Sequence, residues 1–285
     1  MKLPVEYKQL GKTGEKIAAV GLGTWRLGGS QSPDYAHDLE IVETIRYAVE
    51  LGMNHIDTAE MYASGHAEEL VGRAIKVFPR DEVFIATKVW YTNLRYDDVL
   101  QACERSLKRL GVKYVDLYMI HWPNEKIPLS ETMKAMEKLY KDGKIRYIGV
   151  SNFSTRLVEE AQSNLSTTEI AANQVEYGLH NRSIEADLLP YCERNGITVT
   201  AYSPLGQGRI AMELKAKTKR TETLWEIANR YGKTPIQVAL NWVIWRENVI
   251  TIPKASRREH LEENAGACGW RLLPRDYQLL SDVWR

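Results

Sequence analysis

Three short apolar runs in this chain end in residues that handle protons. Residues 53–62 read Met-Asn-His-Ile-Asp-Thr-Ala-Glu-Met-Tyr, passing from an apolar start through Asp57 into a polar loop that closes on Tyr62. Phe84-Ile85-Ala86-Thr87 runs into Lys88, and Leu117-Tyr118-Met119-Ile120 runs into His121. Singly, each residue has a plain structural use: a loop-capping Asp, a solvated Lys, a surface Tyr, a packed His. Successive strands that deliver Asp, Lys and His to one sheet end, with a Tyr beside the first, instead make a site.

The elements that must carry these residues repeat in order. Leu39, Val42, Ile45 and Val49 recur at helical spacing, Gly52 stops the helix, and the strand bearing Asp57 follows. Leu70, Val71, Ala74 and Ile75 precede a strand at 83–87. Val99, Cys103, Ser106, Leu107 and Leu110 lead through Gly111 to a strand at 115–120. Met133, Met136 and Leu139 lead through Gly143 to 145–150. Ser154 can cap the helix of Leu157, Val158 and Ala161, which leads to 170–175. Ile184, Leu188 and Leu189 lead through Gly196 to 197–202. Helical stretches at 227–231 and 236–245 precede a short strand at 249–252, a charged helix from Arg257 and a last helical stretch at 272–284.

Counted from a first strand at 19–24, eight strands alternate with helices, and no Pro/Ser-rich linker divides them. This order implies a parallel sheet, and eight units suit a closed (β/α)₈ TIM barrel in the α/β class. Residues 1–285 then form a single domain. Ahead of it, extended runs at 7–10 and 16–19 flank Gly11-Lys12-Thr13-Gly14, a hairpin signal. An open doubly wound sheet would want a third glycine, which Gly21-Leu-Gly23-Thr-Trp-Arg lacks.

Composition excludes several classes. A net charge of +1 gives no general attraction to nucleic acid or an anionic membrane. Cys103, Cys192 and Cys268 are far apart, so neither a disulfide framework nor a metal cluster is expected. No run approaches a membrane span, and Pro4 and Glu6 stand where a signal peptide would be apolar. The expected location is the cytoplasm and the expected state a monomer. Gly11-Lys12-Thr13 and Gly232-Lys233-Thr234 lack the upstream glycine of a P-loop, and Gly149-Val-Ser151-Asn-Phe153 lacks the last glycine of a hydrolase elbow.

Seven motifs stand in an order that resembles the aldo-keto reductases over essentially the whole chain. They are Gly21-Leu-Gly23-Thr24, Asp57-Thr58-Ala59-Glu60-Met61-Tyr62, Ala86-Thr87-Lys88-Val89-Trp90 and Asp116-Leu-Tyr-Met-Ile-His121-Trp122-Pro123. Ile148-Gly149-Val150-Ser151-Asn152-Phe153, Tyr202-Ser203-Pro204-Leu205-Gly206 and Ile252-Pro253-Lys254 complete the set. The resemblance implies a barrel whose bottom is closed by the hairpin. It implies reversible reduction of aldehydes and ketones by hydride from NADPH, with NADH as second choice. It assigns Asp57, Tyr62, Lys88 and His121 as the catalytic tetrad. Reducing a carbonyl creates an alkoxide that must be protonated as it forms. A free Tyr, with a pKa of about 10, is a reluctant partner, and a nearby Lys⁺ is expected to lower that value. Tyr62 is then the general acid–base, Lys88 its tuner and Asp57 the anchor of Lys88. Neutral His121 orients the carbonyl and could share proton traffic at lower pH.

The same resemblance places the cofactor. Tyr202 stacks on the nicotinamide while Ser151, Asn152 and Gln174 hold its carboxamide. Ser203, Leu205 and Gln207 face the pyrophosphate, with Pro204 and Gly208 in the same loop; Gly23, Thr24, Trp25 and Asp57 are assigned to the cofactor as well. For the 2′-phosphate end the assignments are Ile252, Lys254, Ala255, Ser256, Arg257, His260, Glu263 and Asn264. Here the chain departs from the family pattern, with Ala255 where a Ser is common and His260 where an Arg is common. Trp25, Trp90, Tyr91 and Trp122, with Tyr62 and His121, are the expected substrate pocket. The long C-terminal loop of many members looks absent and the segment 124–129 is short, so an open pocket is expected. A non-catalytic, nicotinamide-binding regulatory subunit or redox sensor of the same fold is the alternative. The absence of an extension ahead of the hairpin disfavours only a channel-blocking role for such a subunit.

Overall fold

The structure is a computed structural model that describes residues 5–285. Its first elements, β1 (Tyr7–Gln9) and β2 (Lys16–Ala18), pair antiparallel as a separate two-stranded sheet. Eight parallel strands then follow in unbroken spatial order. They are β3 (Leu22–Gly23), β4 (His55–Asp57), β5 (Phe84–Val89), β6 (Val115–Ile120), β7 (Ile145–Ser151), β8 (Ile170–Glu176), β9 (Thr198–Tyr202) and β10 (Val249–Thr251).

The last strand meets the first. Thr251 N–H donates to Ala19 O and Gly21 N–H donates to Thr251 O, each at 2.8 Å, with Val20 bridging Thr251 in parallel. The sheet is therefore a closed barrel. The strand expected at 19–24 contributes only two residues of regular ladder plus this bridge. Its glycines explain the tightness: a Cβ on Gly21 would lie 2.4 Å from His55 O, and one on Gly23 2.6 Å from Ile252 O.

The helices are α1 (Asp38–Glu50), α2 (His66–Ile75), α3 (Tyr96–Leu110), α4 (Leu129–Lys141), α5 (Thr155–Ser163) and α6 (Leu188–Asn195). There follow α7 (Arg209–Glu213), α8 (Lys219–Tyr231), α9 (Pro235–Val243), α10 (Arg258–Ala265) and α11 (Pro274–Val283). In α3 the local chemistry is plain. Val99, Cys103, Leu107 and Leu110 make one buried face, Asp97 and Asp98 sit at the positive end of the dipole, and Lys108 and Arg109 sit at the negative end. Gly111, at φ 66°, then ends the helix. Two helices differ from the sequence reading. The short α7 was not expected, and α8 begins at Lys219, ahead of the apolar repeat at 227. Thr218 and Thr221 form a capping box there, a polar start that periodicity does not register.

The hairpin plugs the amino end of the barrel. Leu10 and Ile17, both essentially without exposure, pack with Phe84, Leu117 and Ile250 inside it. Gly11 N–H donates to Thr198 Oγ1 at 2.7 Å. Buried Lys8 adds a polar tie: its ammonium donates to Ile244 O, to Arg246 O at 2.6 Å and to Val249 O at 2.9 Å. Burial pulls its pKa down to about 8 against the opposing charge of Glu6. Lys8→Met leaves those carbonyls without the ammonium. The expected loss is about 1–3 kcal/mol of unfolding free energy, read as a lower urea midpoint at unchanged slope.

Candidate active site

Asp57 on β4 lies opposite Ala86 on β5, so Asp57 and Lys88 face the barrel interior together at its carboxyl end. Lys88 has no exposed surface. Its ammonium donates to Asp57 Oδ1 at 2.6 Å, Thr58 O at 2.9 Å and Tyr62 Oη at 3.2 Å, which uses all three of its donors. The second Asp57 oxygen accepts from Gln174 Nε2 at 2.7 Å. Behind Asp57, the main-chain N–H and the hydroxyl of Thr24 both donate to its carbonyl at 2.9 Å. The ring of His121 meets that of Tyr62 edge-on, centroids 5.6 Å apart, and Trp25 lies 4.9 Å from Tyr62.

The electrostatics refine the expected roles. Burial works against the Lys88 charge, but Asp57 and Tyr62 hold its pKa above the ordinary 10.5, so it stays an ammonium. For Tyr62 the larger effect is burial, which raises the phenol above its ordinary 10.0 while Lys88 pulls the other way. The expected net lowering is thus corrected: Lys88 limits the rise without reversing it. The phenol therefore remains protonated at neutral pH. Burial and then Lys88 press His121 down to about 2, so it stays neutral at any working pH. Its expected share in proton traffic at lower pH falls away, and hydrogen bonding remains.

Tyr62 opens a strained turn. Ala63, Ser64 and Gly65 have φ of 48°, 53° and 96°, a left-handed run that costs about 1–2 kcal/mol for each non-glycine residue. The loop before α1 clamps it: Ala63 N–H donates to Ser30 O at 3.0 Å and Ser64 Oγ to Gln31 O at 2.7 Å. His66, the first residue of α2, fastens the same loop. Its Nε2 lies 2.8 Å from Asp38 Oδ1 and its Nδ1 2.9 Å from Glu69 Oε2, and Tyr35 packs on its ring at 4.4 Å. Two carboxylate partners call for both ring N–H groups, hence an imidazolium.

A cavity of about 690 Å³ opens beside the tetrad. Gly23, Trp25, Asp57, Tyr62, His121, Ser151, Asn152, Gln174 and Tyr202 line its inner part. Asn152, at φ 62°, donates to His121 O at 3.0 Å and accepts from the Tyr202 hydroxyl at 3.0 Å. Ser151 Oγ donates to Gln174 O at 2.9 Å. Ser203, Pro204, Leu205, Gln207 and Gly208 line one flank, in a turn with left-handed backbone at Ser203, Gly206, Gln207 and Gly208. Ile252, Lys254, His260, Glu263 and Asn264 line the other, and Trp90 and Trp122 stand at the mouth.

Some expected residues stand back from the wall. Thr24 acts behind Asp57, Tyr91 stands edge-on to Trp90 in solvent, and Ala255 is buried in the core. Ser256 and Arg257 are exposed, with Arg257 Nη2 3.0 Å from His260 Nε2. Conversely, Arg26, Met61, Ala211, Ile236 and Pro253 line the cavity without having been singled out. Arg26 has a left-handed backbone, φ 65°, and its charge joins burial in lowering the Lys254 pKa. A basic residue directly after the glycine–threonine–tryptophan turn was its only sequence signal. Ala211 and Ile236 come from α7 and the start of α9, where no strand end points to them.

For His66, burial alone would lower the pKa, but the hydrogen bonds to Glu69 and Asp38 outweigh it and the net direction is upward. The stabilisation is therefore complete below the ordinary value of about 6.5 and is lost as pH rises through the higher folded value. Denaturation curves across that window should show stability falling with pH, and the fall should be smaller in His66→Gln.

A family model described as "Aldo/keto reductase family" matches residues 19–285. The chain is 39% identical to methylglyoxal reductase YeaE of Escherichia coli over 268 residues, covering 94% of this chain and 91% of that protein. The solved thermostable aldo-keto reductase Tm1743, in complex with the inhibitor epalrestat, superposes with a TM-score of 0.92 at 49% identity, covering 98% and 99% of the two chains. An aldo/keto reductase from Klebsiella pneumoniae, solved with NADP and acetate, gives 0.88 at 39% identity over 97% and 95%. Matching over this length, in sequence and in fold, leaves one conclusion: the chain belongs to the aldo/keto reductase family.

Proposed function

We propose that the protein reduces aldehydes and ketones to alcohols, reversibly, with NADPH as preferred coenzyme, NADH as second choice and Tyr62 as general acid–base. The observation that carries this reading is the Lys88 ammonium in contact with both Asp57 and Tyr62 beside a cavity open to ligands. The protonation states agree with it: a phenol kept protonated by burial is the form that gives a proton away. The K. pneumoniae relative solved with NADP lends further support.

The residues present suit a nicotinamide dinucleotide. Gln174 gives its amide nitrogen to Asp57, leaving its carbonyl oxygen to accept from a carboxamide. Tyr202, fixed through Asn152, is the aromatic wall. The left-handed turn from Ser203 to Gly208 brings backbone to the cavity, and Arg26 and Lys254 bring two cations for phosphate oxygens. Lys254, Ser256, Arg257 and His260 are the groups suited to a 2′-phosphate.

A bound dihydronicotinamide would supply the hydride to the carbonyl carbon. Tyr62 gives its proton to the carbonyl oxygen as negative charge develops there. Lys88 compensates the phenolate left behind, and Asp57, held by Gln174 and Thr24, keeps the ammonium in place. Neutral His121 donates an N–H to the same oxygen and fixes its direction. Trp25, Trp90 and Trp122 favour substrates with apolar or aromatic bodies and keep water out.

The test is initial-rate oxidation of NADPH and NADH with a panel of aromatic and aliphatic carbonyls. Tyr62→Phe should lower kcat by at least about 10³-fold with NADPH affinity changed less than about threefold. Reduction should stay level with rising pH up to the ordinary phenol value of about 10. Tight cofactor binding without turnover on any carbonyl would instead favour a regulatory subunit. His260→Arg, which restores a forked donor, should raise the NADPH-over-NADH ratio of kcat/KM about tenfold.

A further inference from the structure

The segment that carries Tyr62 is fastened to the strand that carries Lys88 at four successive points. Two bonds are main chain: Thr58 N–H donates to Ala86 O at 2.8 Å and Glu60 N–H to Lys88 O at 3.2 Å. The other two belong to carboxylates. Glu68 Oε1 accepts from Thr87 Oγ1 at 2.6 Å, and Glu60 Oε1 accepts from Trp90 N–H at 2.7 Å. Glu68 and Glu60 thus grip β5 and the residue just past its end, on either side of Lys88, and Tyr62 lies between them in the chain.

Both carboxylates are backed by arginines of α3. Arg109 Nε donates to Glu68 Oε2 at 2.6 Å, and Arg105 Nη2 lies 3.8 Å from Glu60 Oε2. The two arginines are one helical turn apart and so share a face. Gly72 lets α2 approach α3, since a Cβ there would lie 2.5 Å from Leu110 O. Arg109 also lies along the turn after Tyr62, because a Cβ on Gly65 would sit 2.7 Å from its Cδ and Nε.

Glu68 is fully buried, a costly place for a carboxylate without an exacting use. Burial pushes its pKa up, and Arg109 and Thr87 pull against that. None of the four charged residues lines the cavity. We infer that Glu60 and Glu68, backed by Arg105 and Arg109, are positioning residues that set the separation of Tyr62 from Lys88. The inference rests on the reading of Tyr62 as the proton donor, and it adds a second layer of charge behind it. With that layer loosened, the strained turn drifts, the phenol moves from the ammonium, and its acidity falls. Cofactor contacts are left alone.

The experiment uses full-length protein labelled with 3-fluorotyrosine, whose phenol titrates lower than that of tyrosine. The Tyr62 resonance is identified by its loss in Tyr62→Phe. In Thr87→Val, which keeps side-chain shape and changes no charge, the Tyr62 midpoint should rise by about one pH unit. Glu68→Gln should also raise it. A through-space effect of the lost negative charge alone would lower it. The rates should follow, with kcat down about tenfold or more and the NADPH Kd within about twofold. An unchanged or lower midpoint in Thr87→Val overturns the inference. The titration needs no turnover, so failure to reduce carbonyls would count against the proposed function without removing this test.

Discussion

An ammonium sealed away from water is the constraint on which this structure depends. Lys88 has no exposed surface, and a lone buried cation costs several kcal/mol unless its donors are matched. Asp57, the carbonyl of Thr58 and the Tyr62 phenol match them. Each partner then carries its own requirement. Asp57 must be oriented, which Gln174 and Thr24 do from two sides. Tyr62 must reach inward from a loop, which demands the left-handed turn at Ala63 and Ser64. That turn persists because the loop before α1 accepts its N–H and hydroxyl groups. The charge on one strand thus dictates backbone shape two elements away.

The cavity divides by polarity in the way this arrangement requires. Its inner part sets a protonated phenol and a neutral imidazole close to the Trp25 indole. Its outer part holds Arg26 and Lys254, cations suited to phosphates. Keeping these cations away from the phenol matters, because each would otherwise make the phenolate easier to form.

Most of this was legible in the sequence because strand and helix ends carry local signals. The alternation of apolar repeats with glycine stops gave the barrel, since Gly52, Gly111 and Gly196 each take the left-handed backbone that ends a helix. Asp57, Lys88 and His121 were visible as polar ends of apolar runs. What escaped depends on packing rather than pattern. The length of β3 is set by how closely Gly21 and Gly23 meet their neighbours. The start of α8 hides in threonines that serve as caps. Arg26 reaches the cavity through a backbone angle that no residue type announces. The net direction for Tyr62 turned on two opposing effects, and only burial, which a sequence does not display, decides between them.

The seam where β10 meets the first strand has a consequence for motion. Apart from the two-residue pairing of β3 with β4, the other joints are ladders of three or more residues, whereas here the ring is closed by Gly21, Gly23 and Thr251 through a few main-chain bonds. Local opening starts where few bonds must break together, so the amides of Gly21 and Thr251, with those of the short β3–β4 pairing, are natural early points of hydrogen exchange in the ring. The seam also lies under the cavity, since Gly23 and Ile252 form part of its wall. A molecule lying across both edges would act as a splint. Its residence would appear as slowed exchange along the seam.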